Sequence, residues 1–284
     1  MGTSLPSHAI TMDAMNSIIL RGVKLETVHI PGPADRAPLV FLHEGLGSVS
    51  MWQQKGRNWP AELCAATGRA GWLYSRRGYG QSDPIEDVRG PSRRAGGWTI
   101  GRHTPDYMHQ EASQVLPEWL AAVGVQRPVL VGHSDGATIA LLFASQSPVA
   151  ACVAMAPHVF VENKALKAIE QARLAYGAQD GVFRKRLARY HADPDNAFWQ
   201  WNEVWLSHAF KAFDIQADCA KIASPLLCVQ GIDDEYGTLE QLEAIQRAYP
   251  GCTRLALPQC GHSPHRDQPE RLTKAVVQFL QSID

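Results

Sequence analysis

The stretch that decides the fold reads Val129-Leu130-Val131-Gly132-His133-Ser134-Asp135-Gly136-Ala137-Thr138-Ile139-Ala140. Three aliphatic residues lead into a Gly-x-Ser-x-Gly pattern, and residues with a helical pattern follow it directly. This order predicts a strand, a sharp turn and a helix, with Ser134 at the turn. A serine at so tight a turn has a strained backbone, and the flanking glycines avoid clashes there. We therefore expect the Ser134 hydroxyl to be held at the edge of a sheet, within reach of a substrate carbonyl.

Composition and charge exclude several classes of protein. The chain has 284 residues, of which 45% are hydrophobic and 19% charged, as in globular proteins. Its 27 basic and 28 acidic side chains form no basic stripe, so no nucleic-acid partner is expected. The N-terminal residues show no signal-peptide pattern, and no stretch is long and apolar enough to predict a membrane span. Six scattered cysteines without a Cys-x-x-Cys pattern predict reduced core residues and a cytoplasmic protein, with an extracytoplasmic disulfide as the open alternative.

Apolar runs alternate with helical patterns along most of the chain. Strands are predicted over 23–30, 38–43, 71–75, 129–133, 151–156, 226–230 and 253–257, and helices over 51–66, 105–123, 239–248 and 269–280. This alternation predicts an α/β fold, with a mostly parallel sheet covered on both faces. Between about residues 157 and 224 the pattern is helical and aromatic, without strands. We predict a core over 1–157 and 214–284, and a helical cap over 158–213 that sits above the strand ends.

Loops after two later strands carry the partners that a serine nucleophile needs. A serine hydroxyl reacts slowly near neutral pH unless a base takes its proton and a third group orients that base. Asp233 and Asp234 follow the strand that ends at Gln230, and His262 follows the strand that ends near Leu257. The chain order of serine, acid and histidine is the order found in hydrolases with a nucleophile turn of this kind.

With these loops in place, the chain resembles α/β-hydrolase fold enzymes with a helical cap over nearly its whole length. The resemblance implies an eight-stranded type of sheet. It implies that Ser134 is the nucleophile, that His262 is the general base and then the acid, and that Asp234 orients His262. Asp234 is preferred because the acid in this family usually stands three residues after the glycine, and Asp233 is the fallback. His265 is a weaker candidate for the base, expected to line the edge of the site.

Two backbone N–H groups are needed to bind the oxyanion that forms when the carbonyl is attacked. One donor is expected to be Asp135, the residue after the nucleophile. The segment 43–47, His-Glu-Gly-Leu-Gly, resembles the His-Gly-Gly-Pro-Gly oxyanion loop of proline iminopeptidase-like hydrolases. That resemblance implies Gly45 as the second donor, with Glu44 or Leu46 in its place if the loop is shifted by one residue. The segment 77–82 matches the family's Arg-Gly-x-Gly-x-Ser turn, which we assign to scaffolding.

The side chains of Asp135 and Glu44 raise the question of substrate charge. Asp135 either lies at the first turn of its helix, where the dipole favours an anion, or pairs with a cationic substrate group. The segment 132–136 is similar to that of valacyclovir-hydrolase-like α-amino-acid esterases, a resemblance which implies that Asp135 binds an ammonium group. The first alternative is favoured because aspartates are common at helix starts. Glu44 could supply a second carboxylate to the amine, or pair with Arg76 or Arg77.

Aromatic side chains dominate the predicted cap. Trp201 and Trp205 are four residues apart and share one helical face, with Phe198 three residues before Trp201. We expect about two of these aromatic residues to reach the substrate and the rest to pack the cap on the core. Trp201, Trp205 and His191 are the predicted substrate contacts in the cap. His158 and His191 form no metal-ligand pattern, so no metal or other cofactor is expected.

Together these features predict a serine hydrolase of small to medium carboxylic esters that acts through an acyl-enzyme. α-Amino-acyl esters and amides fall within this prediction. Carbon–carbon bond hydrolysis and acyl transfer remain open, because the same triad serves both. A ligand-binding module on a hydrolase scaffold is the third hypothesis, and an intact triad argues against it. A small-molecule substrate is the only partner predicted, while homo-oligomer formation is left open.

Overall fold

The computed structural model describes residues 16–54 and 56–282. In it, all seven predicted strands and one further strand form a single sheet. The strands are β1 (Asn16–Leu20), β2 (Val23–Ile30), β3 (Leu39–Leu42), β4 (Gly71–Tyr74), β5 (Val129–His133), β6 (Ala151–Met155), β7 (Leu226–Gly231) and β8 (Thr253–Leu257). Their order across the sheet is β1-β2-β4-β3-β5-β6-β7-β8. Strand β2 pairs antiparallel with β1 and β4, and the remaining pairs are parallel. The mostly parallel sheet predicted from the sequence is confirmed.

Each central strand is buried on both faces, which explains the continuous apolar runs in the sequence. In β3, for example, Val40 and Leu42 belong to one apolar cluster while Leu39 and Phe41 belong to another on the opposite face. The first face is covered by the helices Tyr107–Gln110, Glu111–Val115 (a π-helix), Leu116–Ala122, Asp135–Ala144 and Glu240–Ala248. Helices Trp59–Thr67 and Pro269–Gln281 cover the second face. The sheet is therefore held rigidly between two helical layers.

The segment between β6 and β7 is helical, as the sequence predicts. It contains the helices Asn163–Tyr176, Val182–Leu187, Pro194–Trp205 and Gln216–Cys219 and the 3₁₀ turn Ala209–Ala212. Phe160 and Asp214 form an isolated antiparallel bridge, and Ile215 N–H donates to Val159 C=O at 2.8 Å. The segment therefore leaves and rejoins the core at one place, beside the predicted cap bounds of 158 and 213, which themselves stay a prediction.

The helix predicted over 51–66 is wrong in its first half. A 3₁₀ turn, Ser50–Trp52, and a short antiparallel pair, Gln53–Gln54 with Arg57–Asn58, precede a helix that begins only at Trp59. The Asn58 side chain accepts a hydrogen bond from Ala61 N–H at 3.2 Å, so it caps the helix rather than continuing it. A second small pair, Arg93–Ala95 with Trp98–Ile100, and the short helix Pro264–Asp267 were also not predicted.

All six cysteines are buried and free, in agreement with the prediction of reduced core residues. Burial raises the pKa of the Cys64 thiol to about 12, which keeps it protonated and unreactive near neutral pH. Among the helices of residues 16–54 and 56–282, none is both long and apolar enough to cross a bilayer.

Candidate active site

Ser134 stands at a strained turn between β5 and the helix Asp135–Ala144. Its backbone has φ +53° and ψ −118°, a conformation that residues other than glycine rarely adopt. Ser134 N–H donates to Met155 C=O at 2.9 Å, which ties the turn to the end of β6. Such strain persists only where the surrounding structure imposes it, and it is common at catalytic residues. The turn predicted from the sequence is present.

The two glycines of the Gly-x-Ser-x-Gly pattern are required by close backbone packing. A Cβ atom on Gly132 would lie 2.3 Å from Gly136 C=O, where the chain folds back on itself. A Cβ atom on Gly136 would lie 2.0 Å from the carbonyl oxygen of Leu42, at the end of β3. Both contacts are with backbone atoms, which cannot move aside without shifting the helix Asp135–Ala144 or β3. The glycines thus allow the nucleophile turn to pack against β3.

Replacing Gly136 with alanine is expected to lower the free energy of unfolding by about 3 kcal/mol, because the added methyl group overlaps the β3 backbone. Urea denaturation followed by circular dichroism measures this loss. Gly177→Ala is the matched control, since Gly177 has φ −79° and the nearest atom to its added Cβ is 3.5 Å away. The control should change stability by no more than about 0.5 kcal/mol. A Gly136→Ala loss as small as that of the control would contradict the packing argument.

Asp234 and His262 meet on the loops that follow β7 and β8. Nδ1 of His262 lies 2.8 Å from Oδ2 and 3.0 Å from Oδ1 of Asp234. Because the carboxylate accepts, Nδ1 carries the proton and Nε2 is left as the basic nitrogen. Asp233 is exposed, and no hydrogen bond from its side chain to His262 is found in the described chain. Of the two aspartates, Asp234 therefore has the geometry predicted for the orienting acid.

Several donors hold the Asp234 carboxylate in place. It accepts hydrogen bonds from Tyr236 N–H at 2.7 Å, from Gly237 N–H at 3.2 Å and from the Gln230 amide at 2.5 Å. Burial by itself would raise the pKa of Asp234, but the bonds from His262 and Tyr236 outweigh it and lower that pKa below its ordinary value. Asp234 is therefore ionised near neutral pH, beside the histidine that it orients.

Ser134 and His262 both line a cavity of about 410 Å³ between the sheet edge and the helical segment that joins β6 to β7. Glu44, Gly45 and Leu46 line the same cavity, so each residue weighed as the second oxyanion donor lies at this wall. Neither Gly45 N–H nor Asp135 N–H donates to another group of the described chain, and both stay available to a substrate oxygen. Gly45 also lies so close to the helix Pro194–Trp205 that a Cβ atom there would be 2.3 Å from Nε1 of Trp201.

The helical segment between β6 and β7 contributes Trp201 and Trp205 to the cavity wall, and their contact with substrate stays a prediction. Phe198 does not line it, because this ring is fully buried and stacks on Tyr176 with 3.7 Å between ring centroids. Two of the three aromatic residues of the stripe thus reach the cavity. Tyr236, which the sequence did not single out, packs on His262 at 4.6 Å between ring centroids and also lines the cavity.

His191 is not at the cavity wall, which corrects its prediction as a substrate contact. Its Nδ1 accepts from Gly80 N–H at 2.9 Å, and its Nε2 lies 3.0 Å from Leu46 C=O. Both ring nitrogens are therefore occupied, and burial lowers the pKa of His191 to about 4, so the ring is neutral. The ring braces the 43–47 loop against the 77–82 turn. This bracing is in keeping with the scaffolding role assigned to that turn.

The Asp135 carboxylate is also directed away from the cavity. It is 1% exposed, and its Oδ2 accepts from the Tyr107 hydroxyl at 2.5 Å. Arg76 lies 3.9 Å from the same oxygen. The structure thus brings the Asp135 backbone to the site, while its carboxylate lies at the first turn of the helix Asp135–Ala144 and is not among the residues that line the cavity. This is the alternative favoured from the sequence, and not the ammonium binding that the resemblance implied. Neither Tyr107 nor Arg76 could be foreseen as a partner of Asp135, because they lie 28 and 59 residues before it in the chain.

His265 is buried rather than placed at the edge of the cavity. It is 3% exposed and packs against Trp52 and His133, each with 4.8 Å between ring centroids. Burial lowers its pKa well below the ordinary value, so the ring is neutral. His265 lies on the short helix Pro264–Asp267. The residue that follows it in this helix, Arg266, does line the cavity.

Glu44 lines the cavity but already has a cationic partner. Its Oε1 accepts from Arg266 at 2.8 Å, and its Oε2 lies 3.4 Å from Nδ1 of His133. The predicted alternative of a pair with Arg76 or Arg77 is wrong, because Arg77 donates to Pro84 C=O at 3.1 Å and Arg76 to backbone carbonyls. Burial would raise the pKa of Glu44, but Arg266 and His133 outweigh it and lower that pKa well below its ordinary value.

A folded-state pKa below the unfolded one makes the Glu44 contribution to stability depend on pH. The contribution is fully present above the unfolded value of 4.5 and is lost as the pH falls through the lower folded value. We expect the stability advantage of the wild type over Glu44→Gln to be constant from about pH 5 to pH 8 and to shrink below that range. Denaturant unfolding of both proteins at several pH values measures the difference. A difference that does not vary with pH would contradict the assignment of Glu44 as an ion-paired anion.

The order of the eight strands, the strained serine turn and the pair of loops after β7 and β8 define an α/β-hydrolase fold. The chain belongs to the alpha/beta hydrolase family, whose model matches residues 39–275. It is therefore a hydrolase of the α/β fold, and the resemblance stated from the sequence is confirmed.

Known proteins similar to the chain include hydrolases with different printed activities. An sn-1-specific diacylglycerol lipase of Mus musculus is 25% identical over 92% of this chain and 86% of its own. A putative carbamate hydrolase of Klebsiella pneumoniae (strain 342) is 28% identical over 82% of this chain and 87% of its own. Among solved structures, the enol-lactonase from Burkholderia xenovorans LB400 is similar in fold, with a TM-score of 0.68 at 16% identity, covering 94% of this chain and 100% of the other.

Proposed function

We propose that this protein is a serine hydrolase that cleaves small to medium carboxylic esters through an acyl-enzyme. The observation that carries the proposal is the hydrogen-bonded Asp234–His262 pair, which shares one cavity with a serine held in a strained turn. In this proposal Ser134 is the nucleophile, His262 the general base and acid, and Asp234 the orienting carboxylate. The backbone N–H groups of Gly45 and Asp135 bind the oxyanion.

The first half-reaction forms the acyl-enzyme. Nε2 of His262 takes the Ser134 proton while Oγ attacks the carbonyl carbon, and the carbonyl oxygen becomes an oxyanion. Asp234 stabilises the imidazolium that results, because its carboxylate accepts from Nδ1. The tetrahedral intermediate then collapses, the bond to the alcohol oxygen breaks, and His262 gives its proton to that oxygen. Water repeats these steps on the acyl-enzyme and releases the carboxylic acid and free Ser134.

The character of the cavity supports an uncharged, hydrophobic acyl or alcohol group. Trp201, Trp205 and Tyr236 line it, and its volume of about 410 Å³ suits a small to medium ester. Only Oδ2 of Asp135 is hydrogen-bonded, to Tyr107, and Oδ1 has no hydrogen-bond partner in the described chain, but the carboxylate is buried and Asp135 is not among the residues that line the cavity. Glu44 does line the cavity, but it is paired with Arg266. We therefore propose neutral acyl esters ahead of α-amino-acyl esters. The relatives named as a lipase and as a carbamate hydrolase are in keeping with attack on a carbonyl carbon.

A panel of p-nitrophenyl acyl esters, run beside the corresponding α-amino-acyl esters and a β-diketone, tests the proposal. We expect a pre-steady-state burst with the neutral esters, and labelling of Ser134 by a fluorophosphonate. A preference for the α-amino-acyl esters would overturn the assignment of substrate charge. Carbon–carbon cleavage of the diketone with no ester turnover would replace ester hydrolysis by that reaction. An unlabelled Ser134 and an inert panel would instead favour a ligand-binding module. A small-molecule substrate and a cytoplasmic location stay predictions. Whether the protein forms a homo-oligomer stays open.

A further inference from the structure

Arg76 is a buried cation directly behind the proposed oxyanion loop. It is 5% exposed, and its guanidinium donates to His43 C=O at 2.6 Å and to Glu44 C=O at 3.0 Å. Its backbone N–H donates to Nε2 of His43 at 3.0 Å. The Arg76 side chain thus holds the two peptide units that precede Gly45 by hydrogen bonds to their carbonyl oxygens. Because Gly45 has no side chain of its own to hold it, the direction of its N–H depends on those two carbonyls.

The Arg76 guanidinium also interacts electrostatically with Asp135, the second proposed oxyanion donor. Nη2 of Arg76 lies 3.9 Å from Oδ2 of Asp135, the residue whose N–H follows the nucleophile. A buried arginine needs a counter-charge, since the cost of removing it from water would otherwise be large. Burial raises the pKa of Asp135, and the attraction of Arg76 together with the hydrogen bond from Tyr107 opposes that rise. Oδ2 of Asp135 is therefore engaged by Tyr107 and Arg76 in the interior of the protein, while Oδ1 is buried without a hydrogen-bond partner in the described chain.

The cap joins this network through Tyr107. Its hydroxyl donates to Asp135 at 2.5 Å and accepts from Nε1 of Trp205 at 3.0 Å. Trp205 lies at the end of the cap helix Pro194–Trp205 and lines the cavity. A continuous chain of buried polar contacts therefore runs from the cap, through Tyr107 and Asp135, to Arg76 and the 43–47 loop.

We propose that Arg76 is a positioning residue that aligns both oxyanion donors, with Asp135 as its counter-ion and Tyr107 as its link to the cap. This inference rests on the proposed function, since it assigns Arg76 a task in that reaction. A lysine cannot replace it fully, because one ammonium group lacks the planar fork that reaches two carbonyls and a carboxylate together. The neighbouring Arg77 takes no part, as it donates to Pro84 C=O and Thr99 C=O on the other side of its loop.

The proposal predicts a defect in transition-state binding and not in substrate binding. Arg76→Met should lower kcat by about 100-fold and leave KM within about threefold, because misaligned donors fail only when the oxyanion forms. Inhibition by an alkyl boronic acid, whose adduct with Ser134 puts an oxygen between the donors, should weaken in parallel with kcat/KM. Arg76→Lys should retain the fold and lose about tenfold in kcat. The control, Arg77→Met, should keep kcat within about threefold of the wild type.

Fluorophosphonate labelling of Ser134 separates failure of the inference from failure of the proposed function. If the wild-type serine is not labelled, the proposed function is wrong, and the role of Arg76 falls with it. If the wild type is labelled and folded Arg76→Met is labelled at the same rate, only the inference is wrong. Should Arg76→Met fail to fold, the double variant Arg76→Met/Asp135→Asn removes both buried charges, and the same loss of kcat is expected of it. Wild-type kcat in Arg76→Lys would also overturn the proposal, whatever the fate of the methionine variants.

Discussion

Replacing Ser134 with alanine is expected to lower kcat/KM for an activated ester by about 10⁴- to 10⁶-fold and to remove the burst. The physical reason is that no other group replaces the Ser134 oxygen at the turn, so no acyl-enzyme can form. The residual rate should come from water attacking a substrate bound at the oxyanion donors, as in other hydrolases that have lost their nucleophile. Stopped-flow measurement with a p-nitrophenyl ester gives the burst and the turnover in one experiment.

The thermal stability of Ser134→Ala shows whether its loss of activity comes from unfolding. Ser134 is in a strained conformation at φ +53°, and alanine must adopt that conformation too, so the strain is retained. We expect the melting temperature of Ser134→Ala to remain close to that of the wild type. Ser145→Ala, at the other end of the same helix, is the matched serine control and should keep full activity. Normal turnover in Ser134→Ala would rule out the proposed mechanism.

Replacing Asp234 with asparagine is expected to lower kcat by about 10⁴-fold with little change in KM. The carboxylate accepts from Nδ1 of His262 at 2.8 Å, and this contact leaves Nε2 unprotonated and able to take the Ser134 proton. An amide that turns its N–H₂ toward the histidine stabilises the opposite tautomer, in which Nε2 carries the proton. It also removes the negative charge that stabilises the imidazolium. Steady-state kinetics on the ester that gives the largest burst measures the loss.

Asp233→Asn is the control that separates the two adjacent carboxylates. Asp233 is exposed, and its backbone N–H donates to Cys260 C=O at 2.9 Å whichever side chain is present. Activity of Asp233→Asn should stay within about threefold of the wild type, since a surface charge on this loop is largely screened. The opposite result, an inactive Asp233→Asn and an active Asp234→Asn, would make Asp233 the orienting acid.

Most of the central sheet could be predicted because its strands are buried on both faces. Continuous apolar runs such as that of β3 or β7 are distinctive, and turn residues bound them. Strand β1 escaped prediction because it is an edge strand in which burial alternates but hydrophobicity does not. Ile19 is 70% exposed although it is as apolar as its more buried neighbours Ile18 and Leu20. The helix predicted over 51–66 was wrong because the local cap at Asn58 overrides helical periodicity.

The candidate site, like the sheet, could be predicted only in part. Ser134, Asp234 and His262 could be proposed as one site because each follows a parallel strand, and the carboxyl ends of parallel strands lie at one edge of the sheet. The directions of the Asp135, Glu44 and His191 side chains could not be predicted. Each depends on a partner far away in the chain, such as Arg266, which is 222 residues from Glu44.

The amino-acid sequence by itself determined the parallel sheet, the serine turn and the three loops that carry the proposed nucleophile, base and acid. These features follow from local periodicity, glycine placement and chain order, and each of these can be recognised within a short stretch of sequence. Only the tertiary structure decided that the Asp135 carboxylate faces Arg76 and Tyr107 rather than the cavity. The reason is that a buried charge takes its position from the nearest counter-charge and hydrogen-bond donor in space, and folding brings those together from distant parts of the chain.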